Sequence, residues 1–229
     1  MNKARYVVTG GFGALGRAVG DALLASGAQV ALVDQAHAPA GLPAATLACG
    51  GADLCDPHAA RRCIDGAAER FGGLDGIVNV AGGFAWESVE HGDIASWDRM
   101  YAMNVRTALL ASQAALPHLL RQGRGRIVNI GAMAAARAQA GMGAYAAAKS
   151  GVARLTEAMA EEFFERGITV NAVLPGIIDT PANRAAMPGA DPGRWVAPAA
   201  LAQVVLFLLS DASAAVTGAL LPVTARGLD

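Results

Sequence analysis

The sequence predicts an α/β fold in which a parallel sheet is covered by helices on both faces. Short, almost continuously apolar runs alternate with longer amphipathic runs along the 229 residues, as is typical of a doubly wound sheet. A glycine-rich turn follows the first apolar run, where a strand would pass into a helix. No internal repeat, low-complexity tract or linker divides the chain. We therefore expect residues 1–229 to form a single Rossmann-type domain around a seven-stranded, mainly parallel sheet.

The short apolar runs are rich in β-branched residues and have the character of strands buried on both faces. They predict strands at Arg5–Thr9, Ala28–Val33, Thr46–Cys49, Gly76–Val80, Arg126–Ile130, Ile168–Leu174 and Ala219–Val223. The amphipathic runs predict helices at Leu15–Ser26, Pro57–Phe71, Ala95–Gln122, Tyr145–Arg166 and Pro198–Ser210. Because proline removes a backbone donor, we expect the third helix to break or kink near Pro117.

Composition and charge exclude several classes of protein. With 54% hydrophobic and 16% charged residues, the chain is not intrinsically disordered. With a net charge of −1 and scattered basic residues, the chain has no positive electrostatic field that would attract nucleic acid or an anionic membrane. The longest apolar stretch, Ala199 to Leu209, is too short to span a bilayer. The N-terminal residues lack a signal-peptide pattern, so we expect a soluble, cytoplasmic protein.

Three cysteines, Cys49, Cys55 and Cys63, lie close together in the sequence. An odd number cannot form a complete disulfide framework. His58 nearby raises the alternative of a zinc site, but the spacing fits no compact metal motif. We expect free thiols in a reducing cytosol and no bound metal.

The glycine-rich turn and an acidic residue after it point to a dinucleotide. The turn contains Gly10, Gly13, Leu15 and Gly16, and its glycines allow backbone N–H groups to approach a pyrophosphate at a helix N-terminus. Tight turns need glycine in any case, so the turn alone is weak evidence. Asp34 ends the second predicted strand, where a carboxylate accepts hydrogen bonds from the adenosine ribose and repels a 2′-phosphate. These residues favour NAD(H) over NADP(H).

These residues, with several further along, resemble the short-chain dehydrogenase/reductase family over nearly the whole chain. The other matching positions are Asp53, Leu54, Asn79, Ala81, Gly82, Asn104, Tyr145, Lys149, Pro175, Gly176 and Thr180. The resemblance implies catalysis by Tyr145, Lys149 and Asn104, and cofactor binding by the remaining positions together with Tyr145 and Lys149. Each motif is common by itself, but all of them occur here in order and on the expected elements.

The implied chemistry is physically consistent. Tyr145 and Lys149 are one helical turn apart and share a helix face. A nearby ammonium would lower the pKa of the phenol, so that Tyr145 donates a proton while hydride arrives from nicotinamide. Lys149 would also hold the nicotinamide ribose, and Asn104 would order a water that resupplies the proton. Asn79 would support its strand end.

One position departs from the family. The serine that the family places thirteen residues before the tyrosine is here Ala132. Loss of such a hydrogen-bond donor to a developing oxyanion costs about 3 kcal/mol of transition-state stabilisation. Three explanations remain open: a weak enzyme, a non-catalytic NAD(H)-binding protein, or a reaction that needs no such donor. Another donor, such as Gln139, could also compensate.

One branch of the family, quinonoid dihydropteridine reductase, also carries alanine at this position. The chain is similar to that branch in its glycine turn, in Val80–Gly83 and most densely in Asp179–Pro188. The resemblance implies an NADH-dependent reductase of a quinonoid dihydropteridine or a similar small conjugated substrate. The alternatives are a general carbonyl or 3-oxoacyl reductase or alcohol dehydrogenase of the same family, and an NAD(H)-binding regulator without turnover.

The substrate region and the subunit interface are also predicted. We expect Asp179 to Val196 to be a short loop, with residues 181–197 acting as a substrate lid. Side chains that could stack on a flat substrate are Phe84, Trp86, Met142 and Trp195, although ordinary packing under a loop would explain them equally well. Small and apolar residues with an exposed pattern on the two long helices are Ala108, Ala111, Ala115 and Val152. Family members commonly pair these helices, which implies a homodimer or homotetramer.

Overall fold

A computed structural model describes residues 3–224. Within this range seven strands form one sheet with every neighbouring pair parallel, in the order β3-β2-β1-β4-β5-β6-β7. The strands are Arg5–Thr9 (β1), Gln29–Val33 (β2), Thr46–Cys49 (β3), Gly76–Asn79 (β4), Gly125–Ile130 (β5), Ile168–Pro175 (β6) and Leu220–Val223 (β7). The expected Rossmann-type fold is confirmed, and the sheet is entirely parallel rather than mainly so.

Every connection between successive strands except that from β2 to β3 contains a helix, and the helices cover the sheet. They are Ala14–Ala25 (α1), Pro57–Phe71 (α2), Ile94–Tyr101 (α3), Thr107–Arg121 (α4), Gly143–Phe163 (α5), Pro181–Ala186 (α6) and Pro198–Leu209 (α7). Helices α1 and α7 pack on one face of the sheet, and α2, α4 and α5 pack on the other. Neighbouring residues of β1 divide between these layers: Val7 faces the α2, α4 and α5 side, and Val8 the α1 and α7 side. This alternation explains why the strand residues are apolar without interruption.

The predicted long helix is interrupted, but not at Pro117. Residues Ala102–Arg106 form a π-helical turn between α3 and α4, whereas Pro117 lies inside α4, which continues to Arg121. The expected break near Pro117 is therefore wrong. A π turn, which inserts an extra residue, is a frequent feature of functional sites, and this one contains Asn104.

The apolar positions predicted to form a subunit interface are instead part of the core. The residues Ala108, Ala111, Ala115 and Val152 are each at most 4% exposed. Helix α4 packs onto α2 and β4, and α5 onto β6, so the small faces of these helices are covered within the chain. The interface interpretation of these four side chains is wrong.

Two of the three cysteines are bonded to each other. Cys49 ends β3, and Cys63 lies in α2 with its Cα 6.2 Å from that of Cys49, and a disulfide joins the two. The expectation of free thiols is wrong for this pair and holds for Cys55. The parallel crossover from β3 into α2 brings the pair together. Across residues 3–224, no three His, Cys, Asp or Glu side chains are grouped as metal ligands would be.

The segment after β6 is more regular than the expected loop. The expected loop from Asp179 to Val196 contains a helix, α6, and a single 3₁₀ turn, Pro192–Arg194. Arg184 forms a bidentate ion pair with Asp179 that ties α6 to the preceding backbone.

Among the described residues there is no helix whose length and apolar character would allow it to cross a membrane.

Candidate active site

A cleft of about 570 Å³ opens at the carboxyl ends of β1, β2 and β4. The sheet order reverses between β1 and β4, and this switch point is where open α/β sheets bind ligands. Most of the predicted cofactor residues line the cleft, namely Gly10, Gly13, Leu15, Gly16, Asp34, Asp53, Leu54, Ala81, Gly82 and Thr180. Residues far apart in sequence are therefore brought to one site.

The glycine turn forms a cradle that side chains would fill. Gly10 has a φ of +61°, and a Cβ there would lie 2.8 Å from the backbone nitrogen of Ala81. A Cβ at Gly16 would collide with the carbonyl oxygen of Gly10. Gly13 caps α1 without a side-chain hydrogen bond, which leaves first-turn N–H groups of the helix available to an anion. The turn thus fits the pyrophosphate of a dinucleotide.

Asp34 is held at the end of β2 by the backbone. Its Oδ2 accepts a hydrogen bond of 2.9 Å from the N–H of Phe12, and its Oδ1 accepts one of 3.0 Å from the N–H of Ala36. Each carboxylate oxygen can accept a second hydrogen bond. The carboxylate is therefore oriented in the cleft with acceptor capacity for a pair of hydroxyl groups.

Helix α5 carries the tyrosine and the lysine on one face. The Nζ of Lys149 donates a 2.8 Å hydrogen bond to the carbonyl oxygen of Ile130, the last residue of β5, and lies 5.9 Å from the centroid of the Tyr145 ring. Lys149 is only 5% exposed. The strand end thus fixes the lysine beside the tyrosine, as the sequence predicts.

Burial controls the pKa of both groups. It raises the pKa of the Tyr145 phenol to about 12 and lowers the pKa of the Lys149 ammonium to about 8. The expectation that the lysine lowers the pKa of the phenol is wrong for the protein alone, because desolvation disfavours both charged forms. At neutral pH Tyr145 is a protonated acid, and Lys149 is a cation close to losing its proton.

Asn104 links the π turn to the loop after β4. Its Nδ2 donates to the carbonyl oxygens of Met100 and Gly83 at 2.9 and 3.1 Å, and its Oδ1 accepts from the N–H of Gly83 at 3.3 Å. A Cβ at Gly82 would lie 2.6 Å from Asn104 Oδ1 and 3.4 Å from Lys149 Nζ. Asn104 and Lys149 therefore both lie beside the cleft-lining Gly82.

The fold and this constellation agree with a comparison against known families. A model described as short chain dehydrogenase matches residues 5–190. The chain belongs to the short-chain dehydrogenase family. It is accordingly an oxidoreductase, and members of this family typically bind NAD(H) or NADP(H).

Individual relatives cover almost the whole chain. It is 38% identical to 2-(S)-hydroxypropyl-CoM dehydrogenase 3 of Xanthobacter autotrophicus, over 93% of this chain and 91% of that protein. It is equally 38% identical to inactive 2-(S)-hydroxypropyl-CoM dehydrogenase 2 of the same organism, over 86% of this chain and 94% of that protein. The structure of NAD⁺-bound xylitol dehydrogenase superposes with a TM-score of 0.86 at 27% identity, covering 97% of this chain and 98% of that one.

In this short-chain dehydrogenase, Asn79 supports the site from beneath rather than lining it. Its Nδ2 donates to Ser112 Oγ at 2.9 Å and to Asn129 Oδ1 at 2.8 Å, and the side chain is buried. Asn79 is not among the residues that line the cleft, so its contact with a cofactor stays a prediction, while its hydrogen bonds join the end of β4 to α4 and β5. Sequence reasoning missed Ser112 and Asn129; the one available signal was a polar residue inside an otherwise apolar strand.

The residues after β6 that are predicted to contact the nicotinamide are divided between the first cleft and a second cavity. Pro175 is buried at the end of β6, and Gly176 lines a separate space of about 570 Å³ together with Trp195. Thr180 lies in the first cleft, and its hydroxyl accepts a hydrogen bond from the N–H of Asn183, which caps α6. The loop after β6 therefore spans the two spaces.

The four predicted stacking side chains of this dehydrogenase do not form one wall. The Phe84 ring is 54% exposed and meets the Tyr145 ring edge to face, with centroids 5.0 Å apart. Met142 immediately precedes α5, and the exposed Trp86 lies against the backbone of Gly141. Trp195 is buried in the second cavity. Of these four side chains, Phe84 is thus the aromatic that contacts Tyr145.

Ala132 lies two residues after Ile130, whose carbonyl oxygen holds Lys149. It is 6% exposed and precedes a 3₁₀ turn, Met133–Ala135. Its methyl group cannot donate a hydrogen bond, and Gln139 is exposed on the following segment. The dehydrogenase therefore holds its tyrosine and lysine in place without the hydroxyl at position 132.

Proposed function

We propose that this dehydrogenase moves a hydride between NAD(H) and a carbon of a small substrate, and that Tyr145 transfers the accompanying proton. The observation that carries the proposal is that Lys149 and Asn104 lie beside Gly82, which lines the cleft, and that Lys149 lies next to Tyr145. The nicotinamide ring supplies or accepts the hydride when it is bound. The protein contributes the binding geometry, the proton and the exclusion of water.

The carboxylate of Asp34 supports NAD(H) as the cofactor. It is fixed by two backbone N–H groups at the cleft edge, where a 2′-phosphate would meet its negative charge at a cost of several kcal/mol. The superposition on NAD⁺-bound xylitol dehydrogenase is consistent with this preference.

Tyr145 is the proton donor in the direction of reduction. Its raised pKa keeps the phenol protonated at neutral pH, and the edge contact with Phe84 restricts the position of the ring. Lys149 brings positive charge near the phenol when protonated, which stabilises the tyrosinate left after proton transfer. Asn104 keeps the loop at Gly83 in place through two hydrogen bonds and is itself anchored by a third to the carbonyl oxygen of Met100.

The substrate that the relatives favour is a small secondary alcohol or the corresponding ketone. The names of the 2-(S)-hydroxypropyl-CoM, cis-4-hydroxycyclohexanecarboxylate and D-beta-hydroxybutyrate dehydrogenases all describe a hydroxyl on a secondary carbon. Each of these proteins matches at least 93% of this chain. We propose the general alcohol and carbonyl chemistry on this basis.

Ala132 favours a second candidate, a quinonoid dihydropteridine or a similar conjugated substrate. Reduction across a conjugated C=N system spreads charge over ring nitrogens, so a donor to a single oxygen is less necessary. A third candidate, an NAD(H)-binding protein without turnover, is favoured by the similarity to a relative described as inactive. The retained tyrosine, lysine and asparagine count against it.

Steady-state kinetics separate these candidates. NADH oxidation is measured with quinonoid 6-methyl-dihydropterin and with a panel of ketones, and NAD⁺ reduction with the matching secondary alcohols; binding of NADH is measured in parallel by fluorescence. Turnover with alcohols and ketones supports the proposal, whereas turnover confined to the pterin establishes the second candidate. NADH binding without turnover on any substrate would overturn the enzymatic function.

A further inference from the structure

The wall of the cofactor cleft between β3 and α2 is enclosed by a disulfide. The wall segment, residues 50–56, contributes Ala52, Asp53, Leu54 and Cys55 to the lining of the cleft. Cys49 precedes this segment, Cys63 follows it after the first turns of α2, and the bond between them closes a loop with a sequence separation of 14.

The same bonded strand end also holds the carboxylate that faces the cofactor. The N–H of Asp34 donates to the carbonyl oxygen of Cys49 at 3.0 Å, and the N–H of Ala52 donates to the carbonyl oxygen of Asp34 at 2.9 Å. Residue Cys49 therefore connects covalently to α2 through its side chain and by a hydrogen bond to Asp34 through its backbone. Reduction of the Cys49–Cys63 bond would therefore affect both the wall segment and Asp34.

We infer that the Cys49–Cys63 disulfide is a redox switch that sets the affinity of the cleft for the dinucleotide; the inference rests on the proposed binding of NAD(H). With the bond formed, the wall segment is restrained in its binding arrangement. Without the bond, the segment gains conformational freedom that cofactor binding must remove, and this lowers the affinity.

The chemistry of the switch is thiol–disulfide exchange. A dithiol reductant attacks one protein sulfur to form a mixed disulfide, and its second thiol then resolves that bond. The protein gains two thiols while the dithiol is oxidised to a disulfide, so electrons and protons balance. Both cysteines are partly exposed, which allows the attack. In reducing compartments, disulfides of this kind are mostly redox-responsive.

The first arm of the test counts thiols and measures cofactor binding. Protein exchanged into buffer without reductant should have one alkylatable thiol, that of Cys55, and dithiothreitol should expose two more. NADH fluorescence should then give a Kd about tenfold weaker for the reduced protein. Cys63→Ser should show the weaker Kd in either buffer. Cys49→Ser should behave in the same way, because either substitution removes the same bond.

The second arm uses hydrogen exchange on the protein without cofactor. Reduction should speed exchange of the N–H groups of Asp34 and Ala52, but not that of Gly131, which bonds to Val173 in the distant β5–β6 ladder. Equal Kd values in both states, or three free thiols in buffer without reductant, would overturn the switch and leave the proposed function standing. Failure of both forms to bind NADH would overturn the proposed function and the switch together.

Discussion

The Nζ of Lys149 lies 2.8 Å from the carbonyl oxygen of Ile130 and 5.9 Å from the centroid of the Tyr145 ring. The backbone at the end of β5 thus positions a cation beside the Tyr145 phenol on α5. A buried ammonium with a single carbonyl partner is costly to the fold, and its lowered pKa expresses that cost. The burial of Lys149 beside Tyr145 therefore lowers the free energy of unfolding.

The variant Lys149→Met should therefore stabilise the protein without cofactor at pH 7 while abolishing turnover. Lowering the pKa of Lys149 from its ordinary value to about 8 corresponds to a cost of about 3 kcal/mol in the free energy of unfolding. The variant regains this free energy, less the contribution of the hydrogen bond that it loses. Because the folded pKa is the lower one, wild-type stability should rise with pH from about 8 to about 10.4 as the penalty disappears. Thermal unfolding of both proteins between pH 7 and 10.5 measures the difference, which should shrink as pH rises. A constant difference across that range would contradict the assignment.

Replacing Tyr145 by Phe removes the proposed proton donor and keeps the ring that packs on Phe84. Turnover should fall by about 10²- to 10⁴-fold, while the Kd of NADH measured by fluorescence changes little. Tyr101→Phe, at an exposed tyrosine of α3, is the matched control and should keep wild-type turnover. Wild-type activity in Tyr145→Phe would remove the tyrosine from the mechanism.

The cofactor preference should depend on the charge of Asp34. Asp34→Asn keeps the shape of the side chain and removes the repulsion of a 2′-phosphate, so the ratio of kcat/KM for NADH to that for NADPH should fall about tenfold or more. Asp21→Asn, on the exposed side of α1, removes the same charge away from the cleft and should leave the ratio unchanged. An unchanged ratio in Asp34→Asn would show that another group selects the cofactor.

Restoring the hydroxyl in Ala132→Ser tests the substrate class directly. For a secondary alcohol or ketone, the added donor should raise kcat/KM by about tenfold, a fraction of the effect of a well-placed oxyanion donor. For a quinonoid pterin, where charge is spread over ring nitrogens, no gain is expected. Each substrate serves as the control for the other, because both are measured with the same variant. A gain confined to the pterin would contradict both the expected gain with an alcohol or ketone and the expected absence of a gain with a pterin.

The parts of this site that the sequence predicted are those that local pattern determines. The glycine turn, Asp34 and the Tyr145–Lys149 spacing each depend on a few neighbouring residues, and the strand and helix periods place them at the same edge of the sheet. Their convergence on one cleft follows from the parallel topology.

The parts that it did not predict depend on contacts between distant segments. The Cys49–Cys63 pairing requires the crossing of β3 and α2, and the separation of Trp195 from Phe84 requires the path of the chain after β6. Burial decides the pKa of Tyr145, and neither sequence spacing nor charge count reports how much water a folded site retains.

The proximity of Asn104 and Lys149 to Gly82 leads to a final prediction. A Cβ at position 82 would lie 2.6 Å from Asn104 Oδ1 and 3.4 Å from Lys149 Nζ, so Gly82→Ala must displace the asparagine, the lysine or the loop. We expect kcat to fall about a hundredfold, since a displacement of about 1 Å in a positioned group has that effect.

The matched control is Gly66→Ala in α2, where a Cβ has no neighbour within 4 Å. There the same methyl group should preserve kcat and raise the unfolding free energy by about 0.5–1 kcal/mol, because alanine restricts the unfolded chain and favours a helix. Parallel measurement of kcat and Tm separates a positional effect from general destabilisation. If Gly82→Ala keeps wild-type kcat, then the close packing around Asn104 is not needed for catalysis and the asparagine acts only in the structure of the π turn.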